Sequence, residues 1–88
     1  MLIPQEENGF KKDLKLMKKR GKNIEKLKEI VRKLASKELL PEKNKNHQLT
    51  GNYKGFGECH IEPDWLLIYR ITNKNLILVR TGSHSDLF

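Results

Sequence analysis

Histidine is the side chain whose proton comes and goes near neutral pH. All three of this chain's histidines, His47, His60 and His84, lie in its second half. His60 belongs to the run Gly57-Glu58-Cys59-His60-Ile61-Glu62, in which residue types alternate. On a strand, that alternation turns Cys59 and Ile61 to one face and Glu58, His60 and Glu62 to the other. A carboxylate beside an imidazole orients it or favours its charged form. With one group to take a proton and another to return it, the set suits general acid–base catalysis. Cleavage of RNA through its own 2′-hydroxyl needs a base, an acid for the leaving 5′-oxygen and a cation for the charged phosphorane. His47, His60, His84, Glu58, Asp64 and Arg80 supply all three. The same residues also suit the surface of a domain that binds without cutting.

Other chemistries find less support. Neither GxGxxG nor GxxxxGKS occurs, so no nucleotide cofactor is expected. The histidine spacings match no metal pattern and Cys59 has no partner cysteine, so no metal is expected. Ser83 and Ser85 flank His84 in a terminal segment and not on a strained elbow. A lone cysteine forms no internal disulfide and reads as a small buried hydrophobe in a reducing compartment. No apolar run approaches the roughly 20 residues that span a bilayer. The start, MLIPQEENGF, lacks a basic region followed by an apolar one. A cytoplasmic protein without a membrane partner is the expectation.

The elements that must position these groups are legible in outline. Eighty-eight residues make one domain, 1–88. Leu2 and Ile3 before Pro4 suit a short edge strand. Phe10, Leu14 and Met17 recur at helical spacing, and Gly21 after Lys18, Lys19 and Arg20 is a natural stop. Asn23 is a plausible N-cap for a second helix whose stripe is Ile24, Leu27, Ile30, Val31 and Leu34. Residues 37–48 form a polar connector that Leu39 and Leu40 tack to the helices. A weak strand is expected over 49–53, a turn or bulge over 54–57, then strands near 57–62, 65–72 and 76–81. The Trp65-Leu66-Leu67-Ile68-Tyr69 run reads as a strand covered on both faces. The result is an α+β domain with a two-helix hairpin on one face of a mostly antiparallel sheet. The other sheet face should be open and lined by Glu58, His60 and Glu62. Charge divides the same way: residues 1–46 hold 14 Lys+Arg against 7 Asp+Glu, and residues 47–88 hold 4 of each. A basic half attracts polyanions, although lysines also simply solubilise helices.

Three blocks carry a family resemblance. They are His47-x-Leu49-x-Gly51-x-Tyr53-Lys54-Gly55-Phe56, then Glu58-Cys59-His60-Ile61-x-Pro63-Asp64-Trp65-Leu66-Leu67-Ile68-Tyr69, then Arg80-Thr81-Gly82-Ser83-His84-Ser85-x-Leu87-Phe88. Together they resemble the YafQ branch of the RelE-type toxins. The resemblance covers the second half closely and the first half only in its two-helix plan. It implies a RelE-like fold and a ribosome-dependent endoribonuclease toxin of a type II toxin–antitoxin pair. Such a toxin cuts mRNA in the decoding site without a metal, and its helix lysines bind ribosomal RNA. On the family's pattern His47, Glu58, His60, Asp64 and His84 fall on catalytic positions, His84 leading with His60 beside it. Arg80 falls on the basic position near the scissile phosphate, and Phe88 suits packing against a base. Many relatives carry arginine where this chain has Gly57, which leaves Lys54 or Arg70 as the replacement cation. The resemblance also implies a DinJ- or RelB-like antitoxin with a ribbon-helix-helix DNA-binding region, which covers the basic surface or the open face. A non-catalytic ribosome- or RNA-binding inhibitor is the alternative on the same fold. A gyrase-inhibiting relative is a third reading, against which the histidine set argues.

Overall fold

A computed structural model describes all residues, Met1–Phe88. Five strands form one sheet in the order β1-β5-β4-β3-β2. They are β1 (Ile3–Glu6), β2 (His47–Gln48), β3 (Gly57–Glu62), β4 (Trp65–Ile71) and β5 (Asn75–Gly82). β1 lies parallel to β5 and every other pairing is antiparallel. Pro4 sits on the outer strand, where a missing N–H costs no ladder bond.

Helix α1 (Asn8–Lys19) and helix α2 (Ile24–Ala35) follow β1. Gly21, at φ +77°, ends α1 in the left-handed conformation that glycine adopts without strain. Its N–H donates to the Lys18 carbonyl at 3.1 Å, and the Lys22 N–H donates to that of Met17 at 3.1 Å. Asn23 caps α2, its side chain accepting from the Glu25 N–H. The two stripes then meet one face of the sheet. Phe10, Met17, Leu27, Ile30 and Leu34 are buried with Cys59, Ile61, Trp65, Leu67, Tyr69, Leu76 and Leu78. Trp65, Leu67 and Tyr69, alternate residues of β4, face this core as the pleat requires. The Trp65 indole N–H donates to Thr81 Oγ1 at 2.9 Å, which satisfies a polar group that burial would otherwise strand.

Several local expectations fail. The weak strand lies at His47–Gln48 and not over 49–53. Gly51, at φ +67°, turns the chain into a single 3-10 turn over Gly51–Tyr53. Leu39 is 96% exposed, so only Leu40 packs on the core. Gly57 is no part of the turn. It begins β3 opposite Tyr69, where a Cβ would stand 2.5 Å from the phenol ring. The terminal segment is a one-turn helix, α3 (His84–Leu87), fixed by a capping box between Ser83 and Asp86.

That helix also changes the second sheet face. Leu66 pairs with His60 on one side and Gly82 on the other. α3 follows Gly82, yet the His84 and His60 ring centroids are 5.6 Å apart. The two rings therefore meet over Leu66 of β4, and Leu66 and Ile68 are buried on the face expected to be open.

Candidate active site

Glu58, Ile68 and Arg80 are register partners across β3, β4 and β5, and His47 of β2 pairs with Glu58. One transverse row thus brings together residues 33 positions apart in the chain. The Glu58 side chain is only 9% exposed. Its Oε1 lies 3.5 Å from His47 Nε2 and 3.9 Å from His60 Nε2. Backbone carbonyls fix the opposite ring nitrogens. His47 Nδ1 donates to the Lys45 carbonyl at 2.7 Å, and His60 Nδ1 donates to that of Pro63 at 3.2 Å. In each ring the neutral form then keeps its lone pair on Nε2, and a proton taken there faces the Glu58 carboxylate.

His84 is held differently. Asp64 Oδ1 accepts from the His84 N–H at 3.0 Å and from His84 Nδ1 at 2.6 Å. These two bonds, backbone first, hold the Asp64 carboxyl below its usual range. Asp64 thereby orients the imidazole and leaves Nε2 free on an exposed ring. His60 and His84 stand edge to face, so two imidazoles with anchored Nδ1 atoms border one surface.

The other site residues divide. The Glu62 carboxylate leaves the face on which alternation puts it. A register shift between His60 and Glu62 turns it to Lys22 Nζ at 3.2 Å and Lys26 Nζ at 3.0 Å on the helical side. Arg80 is not a free cation: its Nε donates to Asp13 Oδ2 at 2.6 Å and its Nη2 to Oδ1 at 3.1 Å. Asp13 also accepts from the Thr81 N–H, so α1 locks this stretch of β5. The remaining Arg80 nitrogen, Nη1, takes no part in these bonds, and the side chain is 42% exposed. Arg70 approaches Glu7 at 3.9 Å, and Lys54 is exposed in the 51–55 turn. Phe88 is 61% exposed, with its ring edge to face with Tyr53 at 5.9 Å. Burial and the Glu58 charge push the Cys59 thiol up to about 12, so it stays a neutral core group. No three His, Cys, Asp or Glu side chains converge on a metal position.

Sequence reasoning missed four supports. Asn44 is buried and donates to the His60 carbonyl at 2.6 Å. Tyr69 Oη donates to Asn46 Oδ1 at 2.5 Å, beside His47. Asp13 and Tyr53 complete the set. A fifth, the Ser83–Asp86 capping box, carried a local signal in its Ser-x-x-Asp spacing. The four act through contacts with no periodicity to betray them.

Comparison with known proteins puts this geometry in company. Residues 3–88 match the family described as the bacterial toxin YafQ of type II toxin–antitoxin systems. The mRNA interferase toxin YafQ of Escherichia coli is 46% identical over 80 residues, covering 90% of this chain and 87% of that protein. A copper-bound mutant toxin from Helicobacter pylori superposes with a TM-score of 0.97 at 40% identity over 100% of both chains. The E. coli DinJ–YafQ toxin–antitoxin complex matches with a TM-score of 0.90 at 41% identity, covering 99% of this chain and 97% of that one.

Proposed function

The chain belongs to the YafQ family of type II toxins, and from that premise we propose that it is an endoribonuclease that cleaves mRNA in the ribosomal decoding site. The observation that carries the reading is the His60–His84 pair, each ring anchored at Nδ1 with Nε2 left for proton transfer. In the proposed reaction one imidazole removes the proton from a ribose 2′-hydroxyl. The 2′-oxygen attacks the adjacent phosphorus, and the bond to the 5′-oxygen breaks. The second imidazole protonates that leaving oxygen. The products are a 2′,3′-cyclic phosphate and a free 5′-hydroxyl. His84, more exposed than His60, leads this transfer. Glu58, between His47 and His60, balances the charge of either ring when it is protonated. Arg80 Nη1 and Lys54 supply cations for the phosphate, with Arg70 further along β4. Phe88 and Tyr53 offer aromatic surface to a base.

The partner follows the same family logic. The E. coli relative is known in a complex with DinJ, so a DinJ-like antitoxin neutralises this toxin. An apolar groove of about 840 Å³ runs between α1 and α2, with Leu14, Leu27 and Val31 inside and Lys11, Lys28 and Arg32 at its border. It suits an amphipathic acidic segment of such an antitoxin.

One feature favours a second reading, a ribosome-binding inhibitor without cleavage. Gly57 brings no cation to the site, and Arg80 is engaged by Asp13. Induced expression in a bacterium, with mRNA 5′ ends mapped for wild type and His84→Ala, separates the two. The expected result is new ends in register with codons in the wild type alone. Growth arrest with no new ends in either protein would sink the nuclease and leave the inhibitor.

A further inference from the structure

The last turn carries His84 and Phe88 and packs against β5, but no ladder of strand hydrogen bonds holds it. One anchor is Asp64, and the other comes from Arg20, just past the end of α1. Arg20 Nη1 donates to Asp86 Oδ2 at 2.6 Å and Nη2 donates to Oδ1 at 2.9 Å, a two-pronged bridge across 66 positions. The same Oδ2 accepts from the Ser83 N–H at 2.8 Å, while Ser83 Oγ accepts from the Asp86 N–H at 3.1 Å. Asp86 therefore both completes the capping box of α3 and ties it to the end of α1. Arg20, and after it the Ser83 N–H, hold the Asp86 carboxyl far below the usual carboxylate range, so the tie is charged at any pH of interest.

The fit around this tie is close. A Cβ on Gly82 would stand 2.9 Å from Asp86 Cβ, so only glycine lets the turn fold down here. His84 then delivers its N–H and Nδ1 to Asp64 from the other side. An ion pair whose arginine is 41% exposed adds little to folding stability. What it fixes is where a four-residue helix lies. A helix that short does not hold itself.

We propose that Arg20 is a positioning residue, which acts through Asp86 to hold His84 and Phe88 over the site. This rests on the nuclease reading above for its effect on cleavage, but not for its effect on structure. Arg20 lies in the basic half and would otherwise count as one more RNA-binding charge, which makes the two roles separable.

The test uses the whole chain with Arg20→Ala, Arg20→Lys, Asp86→Asn and the double variant Arg20→Ala/Asp86→Asn. Backbone heteronuclear NOEs and the His84 ring resonances are recorded on each, alongside single-turnover cleavage of mRNA on saturating ribosomes. In Arg20→Ala the NOEs of residues 84–88 should fall and the His84 resonances shift. The cleavage rate constant should drop by about 10- to 100-fold, the scale of a small misplacement of a reacting group. Ribosome affinity should stay within about twofold, Arg20→Lys should recover part of the rate, and the double variant should be no worse than either single. Unchanged NOEs and ring resonances would overturn the proposal. So would lost ribosome affinity with an unchanged rate constant, which would make Arg20 an RNA-binding charge. If the wild type cuts nothing, the nuclease reading falls by itself, and the NMR comparison still decides whether Arg20 holds the chain end.

Discussion

Asp64 and His84 meet at 2.6 Å from positions 20 residues apart, and the sign of their coupling is set by the carboxylate. Hydrogen bonds from His84 depress the Asp64 pKa in the folded state. A carboxyl depressed on folding adds stability that is complete above its unfolded value, about 4. That stability is lost as pH falls from there through the lower folded value. The His84 tether is therefore intact at cellular pH and weakens only in acid. Asp64→Asn keeps an oxygen that accepts hydrogen bonds but removes the charge. The variant is expected to be less stable than wild type in urea at about pH 6, with the gap closing as pH falls below about 4. A gap that persists unchanged into acid would mean that the Asp64 charge contributes nothing. Cleavage should fall in the same variant, since an uncharged amide no longer balances the protonated His84 that the acid role requires.

The elements are joined by contacts that no single element could foretell. β3 runs close beneath Tyr69 because residue 57 has no side chain, and Tyr69 Oη can then reach Asn46 next to His47. Gly57→Ala puts a methyl 2.5 Å from the phenol ring. It should cost about 1–3 kcal/mol as an overpacked site, read by urea unfolding. The cost should shrink in a Tyr69→Leu background, where the ring is gone; equal costs in both backgrounds would remove Tyr69 as the cause. Any side chain at position 57, arginine included, is thus incompatible with the present path of Tyr69. Likewise, Asn44 in the connector holds the His60 carbonyl, so a stretch that reads as polar filler anchors the central site strand.

For the molecule as a whole, charge and chemistry occupy different halves. The helices carry most of the net +7, while the site strands are neutral in sum. Binding to ribosomal RNA should then weaken linearly in log K against log salt, and the slope counts phosphates neutralised. Replacing Lys12, Lys15, Lys18 and Lys19 by Gln should flatten that slope by about one for each phosphate left unneutralised. Cleavage at saturating ribosomes should stay near wild type. A rate constant that fell with the slope unchanged would place these lysines in the chemistry instead. The fold tolerates such changes because these lysines point to solvent and the core relies on Phe10 and Met17 from the same helix.

Sequence alone determined what depends on neighbours in the chain. Helical periodicity fixed both stripes, Gly21 and Asn23 fixed the ends that divide them, and alternation turned Glu58 and His60 to one face. The residue types also fixed the candidate chemistry, since histidine is the side chain whose ordinary pKa lies near neutrality and the chain holds three, His47, His60 and His84. Tertiary structure decided which of them meet and which cations are spent. A register shift at His60/Glu62 sends Glu62 to Lys22 and Lys26, and Asp13 takes Arg80. α3 brings the His84 ring to His60 on the face expected to be open, held by Asp64 on one side and Arg20 on the other. Periodicity reports only which way a side chain points within its own element. The partner it finds there depends on how the elements dock, and docking is settled by the packing of the whole core.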